Sequence, residues 1–310
     1  MKVYYSLDQV PQISNLVLTQ GTFDGVHLGH KKVLLQLVKT AKETNGESML
    51  LTFYPHPRLV LYPNDNGLQL LNTIGEKIRL VEQCGIDHIL VLPFTDEVSK
   101  LSPLDFVRDV LVEKLHIHAM IVGYDHRFGR NREGSFEDLL TFGEMFDFKV
   151  MEIPASEIED IAISSTRIRK ALMTGELEIA NQLLGHNYAI EGVVVHGRKL
   201  GRQLGYPTAN IRTSEPFKLI PLEGVYAAFC KIGNEKFKGA LNIGHNPTID
   251  GKGFSIEIYL FDFDKDIYDQ TLELELVQFL RLEKRFESHQ ELTAQIDKDV
   301  QAAKAIFASI

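Results

Sequence analysis

Two different patterns of hydrophobic and polar positions divide the chain. From about residue 16 to residue 154, short apolar runs alternate with segments whose apolar residues recur at helical spacing. The apolar runs, which predict buried strands, are LVLT (16–19), SMLLTFY (48–54), HILVLPF (88–94), AMIVGY (119–124) and KVMEIP (149–154). The helical segments lie at 30–46, 76–85 and 102–115. This alternation predicts a doubly wound α/β domain with a parallel sheet covered on both faces. Ligands of such a domain bind at the carboxyl ends of the strands.

The next segment, residues 163–185, predicts a pair of helices that closes this first domain. Its first turn offers three candidate N-caps, namely Ser164, Ser165 and Thr166. Its apolar residues recur on one helical side, at Ile168, Leu172, Ile179 and Leu183. We therefore predict two domains, 1–185 and 186–310, which agrees with a length of 310 residues.

The second domain has a strand-like pattern with period-two alternation and no helical segments between the strands. The strand-like runs are YAIEGVVVHG (188–197), GVYAAFCKIG (224–233), KFKGALNIG (236–244), FSIEIYLFDF (254–263) and TLELELVQFL (271–280). This pattern predicts an antiparallel β-barrel. A final helix is predicted from a stripe of apolar residues, which are Leu292, Ile296, Val300 and Ile306.

Composition and charge narrow the classes of function. The net charge of −9 argues against broad nucleic-acid binding, which needs a basic face. The two cysteines, Cys84 and Cys230, have neither a close partner in sequence nor metal-site spacing, which favours a reducing compartment. No apolar stretch approaches the roughly 20 residues that span a bilayer, and the first residues lack the apolar core of a signal peptide. We therefore expect a cytoplasmic protein without a membrane partner.

The loop TQGTFDGVHLGH (19–30) lies between a predicted strand and a predicted helix. There, backbone N–H groups and the helix dipole attract anions. The loop lacks both the dinucleotide fingerprint and the lysine of a P-loop, so it is a phosphate cradle, a metal site or only a turn that requires glycine. His27 and His30 have no nearby cysteine or carboxylate except Asp24, which weighs against zinc. Two imidazoles at a helix start favour phosphate.

A second glycine-rich stretch, GRKLGRQLGYPTAN (197–210), precedes a strand-like run. If it ends in extended conformation, Thr208 and Asn210 point to the same face. Their neutral oxygens suit a Mg²⁺ ion that also contacts nucleotide phosphate. Glu257 alternates with Ile256 and Ile258 and is therefore expected to point away from them, toward the barrel mouth or solvent.

Together these motifs resemble, in order, the bifunctional riboflavin kinase/FAD synthetases of bacteria. GTFDGVHLGHKKVL (21–34) is similar to the H-x-G-H signature of the nucleotidyltransferase superfamily. The other matching segments are TFYPHP (52–57), VGYDHRFGRNREG (122–134), ISSTRIR (163–169), GRKLGRQLGYPTANI (197–211), LNIGHNPTI (241–249), IEIYLFDFDKDIY (256–268) and FLRLEKRF (279–286). The resemblance covers nearly the whole chain, and the combination is more specific than any single motif.

The resemblance implies that the first domain transfers AMP from ATP to FMN, giving FAD and pyrophosphate. It implies catalytic roles at the ATP phosphates for His27, His30 and Arg167. The other ATP-binding residues that it implies are Gly21, Phe23, Asp24, Gly25, Gly29, Ser164, Ser165 and Thr166. His56 and Asp125 are implied on the flavin side, while His126 departs from the phenylalanine usual in this motif, which leaves a stacking role there open.

The second domain, by the same resemblance, transfers the γ-phosphoryl group of ATP to riboflavin, giving FMN and ADP. Its phosphate loop would use Gly197, Lys199, Gly201 and Gly205, and Thr208 and Asn210 would hold Mg²⁺. Glu257 would be the general base and Arg281 a flavin-binding residue. Asp269 stands where the family commonly has glycine, and because aspartate tolerates left-handed turns we expect the turn to persist.

Alternatives remain at this point. Only one of the two sites could be active, or the chain could be a flavin-binding regulator without turnover. A regulator would not need a base such as Glu257. A barrel that binds nucleic acid is opposed by the acidic run LFDFDKDIYD (260–269) and by the net charge of −9, although GRKLGRQ (197–203) is basic. The oligomeric state is left open.

Overall fold

The computed structural model describes residues 1–64, 67–124, 126–154, 163–197, 200–245 and 253–310. The chain splits into two compact units, Met1–Ser164 and Ser165–Ile310. The helix pair at 163–185 thus groups almost entirely with the second unit by its contacts, and the functional boundary between residues 185 and 186 stays a prediction.

The first unit contains a parallel sheet of six strands, as the sequence predicts. The strands are β1 (Lys2–Tyr4), β2 (Val17–Gln20), β3 (Ser48–Tyr54), β4 (His88–Pro93), β5 (Ala119–Gly123) and β6 (Lys149–Ile153). Their order in the sheet is β1-β4-β3-β2-β5-β6, and every neighbouring pair is parallel. The sequence pattern missed β1, because three residues are too few to show a period.

Helices connect these strands. They are α1 (Leu28–Glu43), α2 (Pro57–Leu61), α3 (Ile74–Gln83), α4 (Asp96–Lys100), α5 (Pro103–Asp105), which continues as a π-helix (Phe106–Val112), and α6 (Phe136–Phe146). Two short 3₁₀ helices lie at Leu7–Gln9 and Arg130–Arg132. The predicted helices at 30–46, 76–85 and 102–115 correspond to α1, α3 and the α5 segment, whereas α6 was not predicted.

Successive residues of the strands contribute to two separate cores, one on each face of the sheet. On β2, Val17 packs with Leu34 of α1 and Val81 of α3. Its neighbour Leu18 packs on the other face, with Phe106 and Leu139. Because side chains alternate along a strand, a strand buried on both faces has a continuous apolar run. The sheet is therefore covered on both sides, as expected for a doubly wound domain.

The strand order reverses at β2, which lies at the centre of the sheet. β3 and β4 extend the sheet on one side of it, and β5 and β6 on the other. In open α/β sheets, ligands bind outside the carboxyl ends of the strands where the order reverses. The chain leaves β2 at this edge and passes through residues 21–27 into α1, so the histidine loop lies where this rule places a ligand.

The second unit is a closed barrel of six antiparallel strands with additional helices. The strands are β7 (Tyr188–Val195), β8 (Thr208–Thr213), β9 (Gly224–Ile232), β10 (Glu235–His245), β11 (Phe254–Leu260) and β12 (Thr271–Arg281), in the order β10-β11-β8-β7-β12-β9. The helices are α7 (Ser165–Met173), α8 (Leu177–Leu184), α9 (Leu200–Gln203) and α10 (His289–Ser309). The predicted barrel and terminal helix are confirmed.

Alternation along the strands separates the barrel interior from its outer face. On β11, Ile256 and Ile258 are buried inside, while Glu257 and Tyr259 are half-buried on the other face. The terminal helix α10 packs on that outer face, where Val300 belongs to a cluster that also includes Tyr259. The terminal helix, which contacts β9, β10 and β12, thus covers part of the outer face on which Glu257 also lies.

Candidate active sites

The loop between β2 and α1 has an unusual backbone. Phe23, Gly25 and Val26 have φ values of 45°, 91° and 40°, all in the left-handed region. Glycine adopts this region freely, but a β-branched residue such as Val26 rarely does. Strained backbone of this kind concentrates at ligand-binding and active sites. The conformation thus supports a function for the loop beyond that of an ordinary turn.

The two histidines of the loop form a stacked pair. His27 is the N-cap of α1, and its Nδ1 accepts a hydrogen bond of 3.2 Å from the backbone N–H of His30. The two ring centroids are 3.6 Å apart with 13° between the ring planes, and the Phe23 ring lies 4.8 Å from His30. Because Nδ1 of His27 accepts, its Nε2 carries the proton and is a donor. Nδ1 of His30 is buried without a hydrogen-bond partner among the described residues.

Burial keeps both imidazoles uncharged. It lowers the pKa of His27 to about 4, although the negative charge of Asp24 acts in the opposite direction. Burial also lowers the pKa of His30 well below its ordinary value, and electrostatic interactions with His27 and with the Lys77 ammonium lower it further. At neutral pH the pair therefore offers N–H donors but no positive charge.

Asp24 connects this loop to the segment that precedes α3. Its carboxylate is buried, and Oδ1 accepts hydrogen bonds from the backbone N–H groups of Leu71, at 2.9 Å, and Asn72, at 3.2 Å. Gly21 packs closely against the loop: a Cβ there would lie 3.0 Å from the Phe23 ring. These hydrogen bonds fix the loop against the segment at residues 71–72.

Lys77 of α3 is a residue of this region that sequence reasoning missed. It is 7% exposed, and its Nζ donates to Oγ1 of Thr52, near the end of β3, at 3.4 Å. A signal for it exists in the sequence, because Lys77 falls on the buried stripe of α3 formed by Ile74, Ile78 and Val81. A lysine at such a position is rarely buried without a function or a partner.

The two predicted flavin-side segments of the first unit follow strands β3 and β5. His56 is half-buried and caps α2, accepting a hydrogen bond of 3.2 Å from the Arg58 backbone N–H. His126 stacks on Phe128 with ring centroids 5.9 Å apart, and its Nε2 is buried without a partner in the described part of the chain. Burial and the charge of Arg132 lower its pKa to about 4. Asp125 lies outside the described residues.

In the barrel, strand register brings three predicted residues together. Asn210 of β8 is the direct cross-strand partner of Glu257 on β11. Thr208 lies two residues before Asn210 on the same face, and its hydroxyl donates to Oε2 of Glu257 at 3.1 Å. A hydroxyl, an amide and a carboxylate therefore converge on the outer face of the barrel, and all three offer the oxygen ligands that Mg²⁺ prefers.

The comparisons with known proteins cover both units. Residues 10–167 match the family described as FAD synthetase, and residues 184–307 match the family described as riboflavin kinase. The chain belongs to the bifunctional riboflavin kinase/FMN adenylyltransferase family. The enzyme of that name from Listeria monocytogenes is 40% identical over 297 residues, covering 96% of this chain and 94% of the relative. The one from Escherichia coli K12 is 37% identical, with coverages of 98% and 96%.

A solved structure shares the fold over the whole chain. It is described as a macrolide-efflux protein from Streptococcus pneumoniae, with a TM-score of 0.85 and 28% sequence identity. The alignment covers 97% of this chain and 98% of that one. In the described parts of the present chain, no helix is both long and apolar enough to cross a membrane.

The polar row that contains Asn210 and Glu257 continues onto β10. Asn242 is the cross-strand partner of Glu257 on that side, and its Nδ2 donates to Oε1 of Glu283 at 3.2 Å. Burial raises the pKa of Glu283, the nearby Glu223 carboxylate adds to this effect, and the hydrogen bond from Asn242 opposes it. Sequence reasoning missed Asn242 and Glu283, although both lie in segments that match the family.

Glycines allow the predicted phosphate loop to approach this row closely. A Cβ on Gly197 would lie 2.2 Å from Nδ2 of Asn210, and one on Gly201 would lie 2.3 Å from the carbonyl oxygen of Tyr206. Gly205 has a φ of 86°, in the left-handed region. These positions explain why the loop is rich in glycine. Lys199 lies outside the described residues.

Arg281, predicted to bind flavin, contacts the terminal helix. Its Nε and Nη2 donate to the two carboxylate oxygens of Asp299, at 2.8 Å and 2.6 Å. Tyr206, beside the phosphate loop, makes a hydrogen bond to Asp297 of the same helix. Asp269 has a φ of 60°, which is the left-handed conformation expected where it replaces glycine. The terminal helix thus anchors both β12 and the loop that precedes β8.

The predicted segment 164–167 spans the point along the chain where the first unit ends and the second begins. Ser164 is the last residue of the first unit, and Ser165 begins α7 in the second. Thr166 and Arg167 follow on the first turn of α7, and both are exposed. Over the described residues, no group of three or more histidine, cysteine, aspartate or glutamate side chains is arranged to hold a metal ion.

Proposed function

We propose that each activity of the family has its own site in this chain. As a member of that family, the chain makes FMN from riboflavin and FAD from FMN, with ATP as co-substrate. In our assignment, the barrel phosphorylates riboflavin and the histidine loop of the first unit serves FMN adenylylation. The convergence of Thr208, Asn210 and Glu257 on one face is the observation that carries this assignment.

In the kinase reaction, Glu257 acts as the general base. It takes the proton of the ribityl 5′-hydroxyl while that oxygen attacks the γ-phosphorus of ATP and ADP leaves. The hydroxyl of Thr208, which donates to Glu257 in this structure, orients the carboxylate. Oγ1 of Thr208 and the amide oxygen of Asn210 would hold Mg²⁺, which would supply neutralisation of the phosphate charge. The loop with Gly197, Gly201 and Gly205, together with Lys199, surrounds the phosphates, and Arg281 lies on the flavin side.

In the adenylyl transfer, the FMN phosphate is already an ionised nucleophile. Its oxygen forms a bond to the α-phosphorus of ATP, and the bond between that phosphorus and the oxygen of the pyrophosphate group breaks. No covalent intermediate on the protein is needed, so positioning and charge neutralisation suffice. His27 and His30 donate N–H groups to the phosphates within the cradle formed by residues 21–29.

Further residues complete the proposed adenylyl-transfer site. The segment Ser164, Ser165, Thr166 and Arg167 contributes hydroxyls and a planar cation to the triphosphate. His56 and Asp125 contribute to the flavin pocket. Arg167→Ala and His30→Ala are both expected to raise the KM for ATP in FAD formation and to leave FMN formation unchanged.

We infer the cellular compartment from the two cysteines of the chain, and its partners from its net charge. Cys84 and Cys230 are both free thiols, in keeping with a reducing compartment such as the cytoplasm. The net charge of −9 disfavours nucleic acid as a partner. A flavin-binding regulator without turnover would not require a carboxylate that is hydrogen-bonded beside candidate Mg²⁺ ligands, so we favour a working enzyme with two sites.

The decisive experiment supplies the purified protein with riboflavin, ATP and Mg²⁺ and follows both flavins by chromatography. We expect FMN to form first and FAD to follow. Formation of only one of them from its direct substrate would support the alternative with a single active site. If neither riboflavin nor FMN is converted, the assignment fails. Omitting Mg²⁺ is expected to abolish both steps, and a lag in FAD with free FMN accumulating would show release between sites.

A further inference from the structure

The histidine loop lacks a charge that its proposed ligand demands. A triphosphate is strongly negative, and negative charge grows on the leaving pyrophosphate during adenylyl transfer. His27 and His30 are held neutral by burial, so they cannot supply the opposing charge at physiological pH. Asp24, the charged group next to them in sequence, is negative. Among the residues already proposed for the triphosphate, Arg167 is the cation, and its side chain is exposed; a buried cation beside the loop would add to the charge neutralisation there.

Lys77 lies where such a cation would act. Its Nζ donates to Oγ1 of Thr52 at 3.4 Å, and that hydroxyl lies 3.5 Å from the carbonyl oxygen of Thr22, within the histidine loop. Two successive hydrogen bonds, both at the long end of the usual range, therefore connect the ammonium to the loop at the carboxyl edge of the sheet. The charge of Lys77 also reaches His30, where it disfavours protonation of the ring.

The start of α3 fixes Lys77 in this place. Thr73 and Glu76 form a reciprocal capping box: the Thr73 backbone N–H donates to Glu76 Oε2 at 2.9 Å, and the Glu76 N–H donates to Thr73 Oγ1 at 3.1 Å. Just before the helix, the backbone N–H groups of residues 71 and 72 bind the Asp24 carboxylate. The first turn of α3 is thus tied to the histidine loop, which gives the buried ammonium a defined position.

We propose that Lys77 is a further catalytic residue of the adenylyl transfer, which binds the ATP phosphates and neutralises the charge that develops on pyrophosphate. This inference rests on the proposed function of the first unit. The residue transfers no proton: it donates N–H groups while the FMN oxygen bonds to the α-phosphorus and pyrophosphate leaves with the electron pair. The histidines add neutral N–H donors, so the buried part of the site combines the Lys77 ammonium with two imidazoles.

The first test separates the charge of Lys77 from its packing. Lys77→Gln keeps an N–H donor for Thr52 but removes the charge, whereas Lys77→Arg keeps the charge. We expect Lys77→Gln to reduce FAD formation from FMN about 100-fold, the scale of losing one transition-state donor, and Lys77→Arg to restore part of it. FMN formation by the barrel is the internal control. Lys39→Met, which removes an exposed lysine from α1, is the matched control and is expected to leave both activities unchanged.

The second test measures the charge at the loop directly. We expect Lys77→Gln to weaken binding of pyrophosphate, measured by calorimetry, and to raise the pKa of His30, measured by NMR. A purely structural lysine would not change these two quantities together. FAD formation by Lys77→Gln within threefold of wild type would overturn the proposal. If Lys77→Gln does not fold, two other variants still test the proposal. Full FAD formation by Lys77→Met would overturn it, and so would a folded Lys77→Arg that does not bind pyrophosphate. Failure of the wild type to make FAD from FMN counts instead against the proposed function.

Discussion

The two candidate sites of this chain are built in opposite ways. The first comes mostly from one contiguous loop, in which His27 and His30 stack at the start of a helix. The second comes from residues that are far apart in sequence, since Asn210, Asn242 and Glu257 meet only through the register of three strands. A short motif can therefore identify the first site, whereas the second depends on the pairing of β8, β11 and β10.

Their electrostatics differ as well. The histidines of the first site are uncharged because the fold excludes water from them, with His27 only 6% exposed. The barrel site is half-buried and carries carboxylates, with Glu257 beside Thr208 and with Glu283 one hydrogen bond beyond Asn242. A buried neutral donor pair suits a preorganised anion site, whereas a partly hydrated carboxylate suits proton abstraction and metal binding. In the proposed assignment, the same co-substrate, ATP, is therefore bound by two structurally unrelated sites.

The largest expected effect is on the barrel. Glu257→Gln removes the base but keeps the shape and the acceptor for Thr208, so FMN formation should fall about 10²- to 10⁴-fold, as for loss of a general base. FAD formation from supplied FMN should stay within twofold of wild type. Both rates are measured by chromatography, and loss of both in a folded protein would contradict the separation of the sites.

The reciprocal change is His30→Ala. It removes a donor whose Nδ1 is buried without a partner among the described residues. We expect FAD formation from FMN to fall about 10²- to 10³-fold, the scale of losing one preorganised donor, while riboflavin is still phosphorylated. A folded variant, checked by circular dichroism, that keeps normal FAD formation would remove His30 from the proposed mechanism.

A third prediction concerns pH and the buried histidines. Unfolded His27 binds a proton below its ordinary pKa of 6.5, but folded His27 does so only near pH 4. Stability is therefore fully present above about pH 6.5 and is lost as the pH falls toward 4, by at most about 3 kcal/mol from this residue. Urea unfolding at pH 7 and pH 4 measures it.

The variant His27→Asn should lose less stability than wild type between these pH values, since asparagine can still cap α1 but does not titrate. His116→Asn is the matched control, because His116 is exposed and has a left-handed φ of 49° that asparagine tolerates. An equal loss of stability in His27→Asn and wild type would show that the buried imidazole does not govern the acid sensitivity.

The smallest expected effect tests the close approach of the predicted phosphate loop to Asn210, a proposed Mg²⁺ ligand. In Gly197→Ala the new Cβ would lie 2.2 Å from the Asn210 amide, so the amide must shift. We expect kcat/KM for riboflavin phosphorylation to fall about tenfold, which corresponds to about 1.4 kcal/mol, and the Mg²⁺ requirement to rise. In Gly253→Ala the Cβ has nothing within 4 Å, and we expect no change. Equal kinetics for the two variants would exclude a tight contact between loop and ligand.

Much of the fold was predictable because a strand that is buried on both faces and a strand that is buried on one face have different periods of apolar residues in the sequence. The runs of β3 and β4 are continuously apolar, as in a covered parallel sheet, whereas β11 and β12 alternate. The pattern missed β1, which is too short, and α6, although a capping box at Ser135 and Asp138 marks the start of that helix. The prediction that Thr208 and Asn210 share a face also assumed that β8 is extended, which the pattern did not establish.

The candidate residues were predictable to a different degree in the two sites. His27 and His30 could be assigned to an anion site from their place between a strand and a helix. Lys77 could not, because its relation to the loop depends on how α3 packs against the end of β3. In the barrel, Asn242 and Glu283 were missed because nothing local in the sequence pairs them with Glu257.

By itself, the sequence determined the alternation of strands and helices, the two different hydrophobic patterns of the two domains and the residue types that can bind phosphate and Mg²⁺. These properties depend on local spacing, and side-chain period follows directly from backbone geometry. The tertiary structure alone decided the charge state of the histidines, the buried position of Lys77 and the row of polar residues across β8, β11 and β10. Burial and strand register depend on contacts between residues that are far apart in the chain, so no short stretch of sequence specifies them.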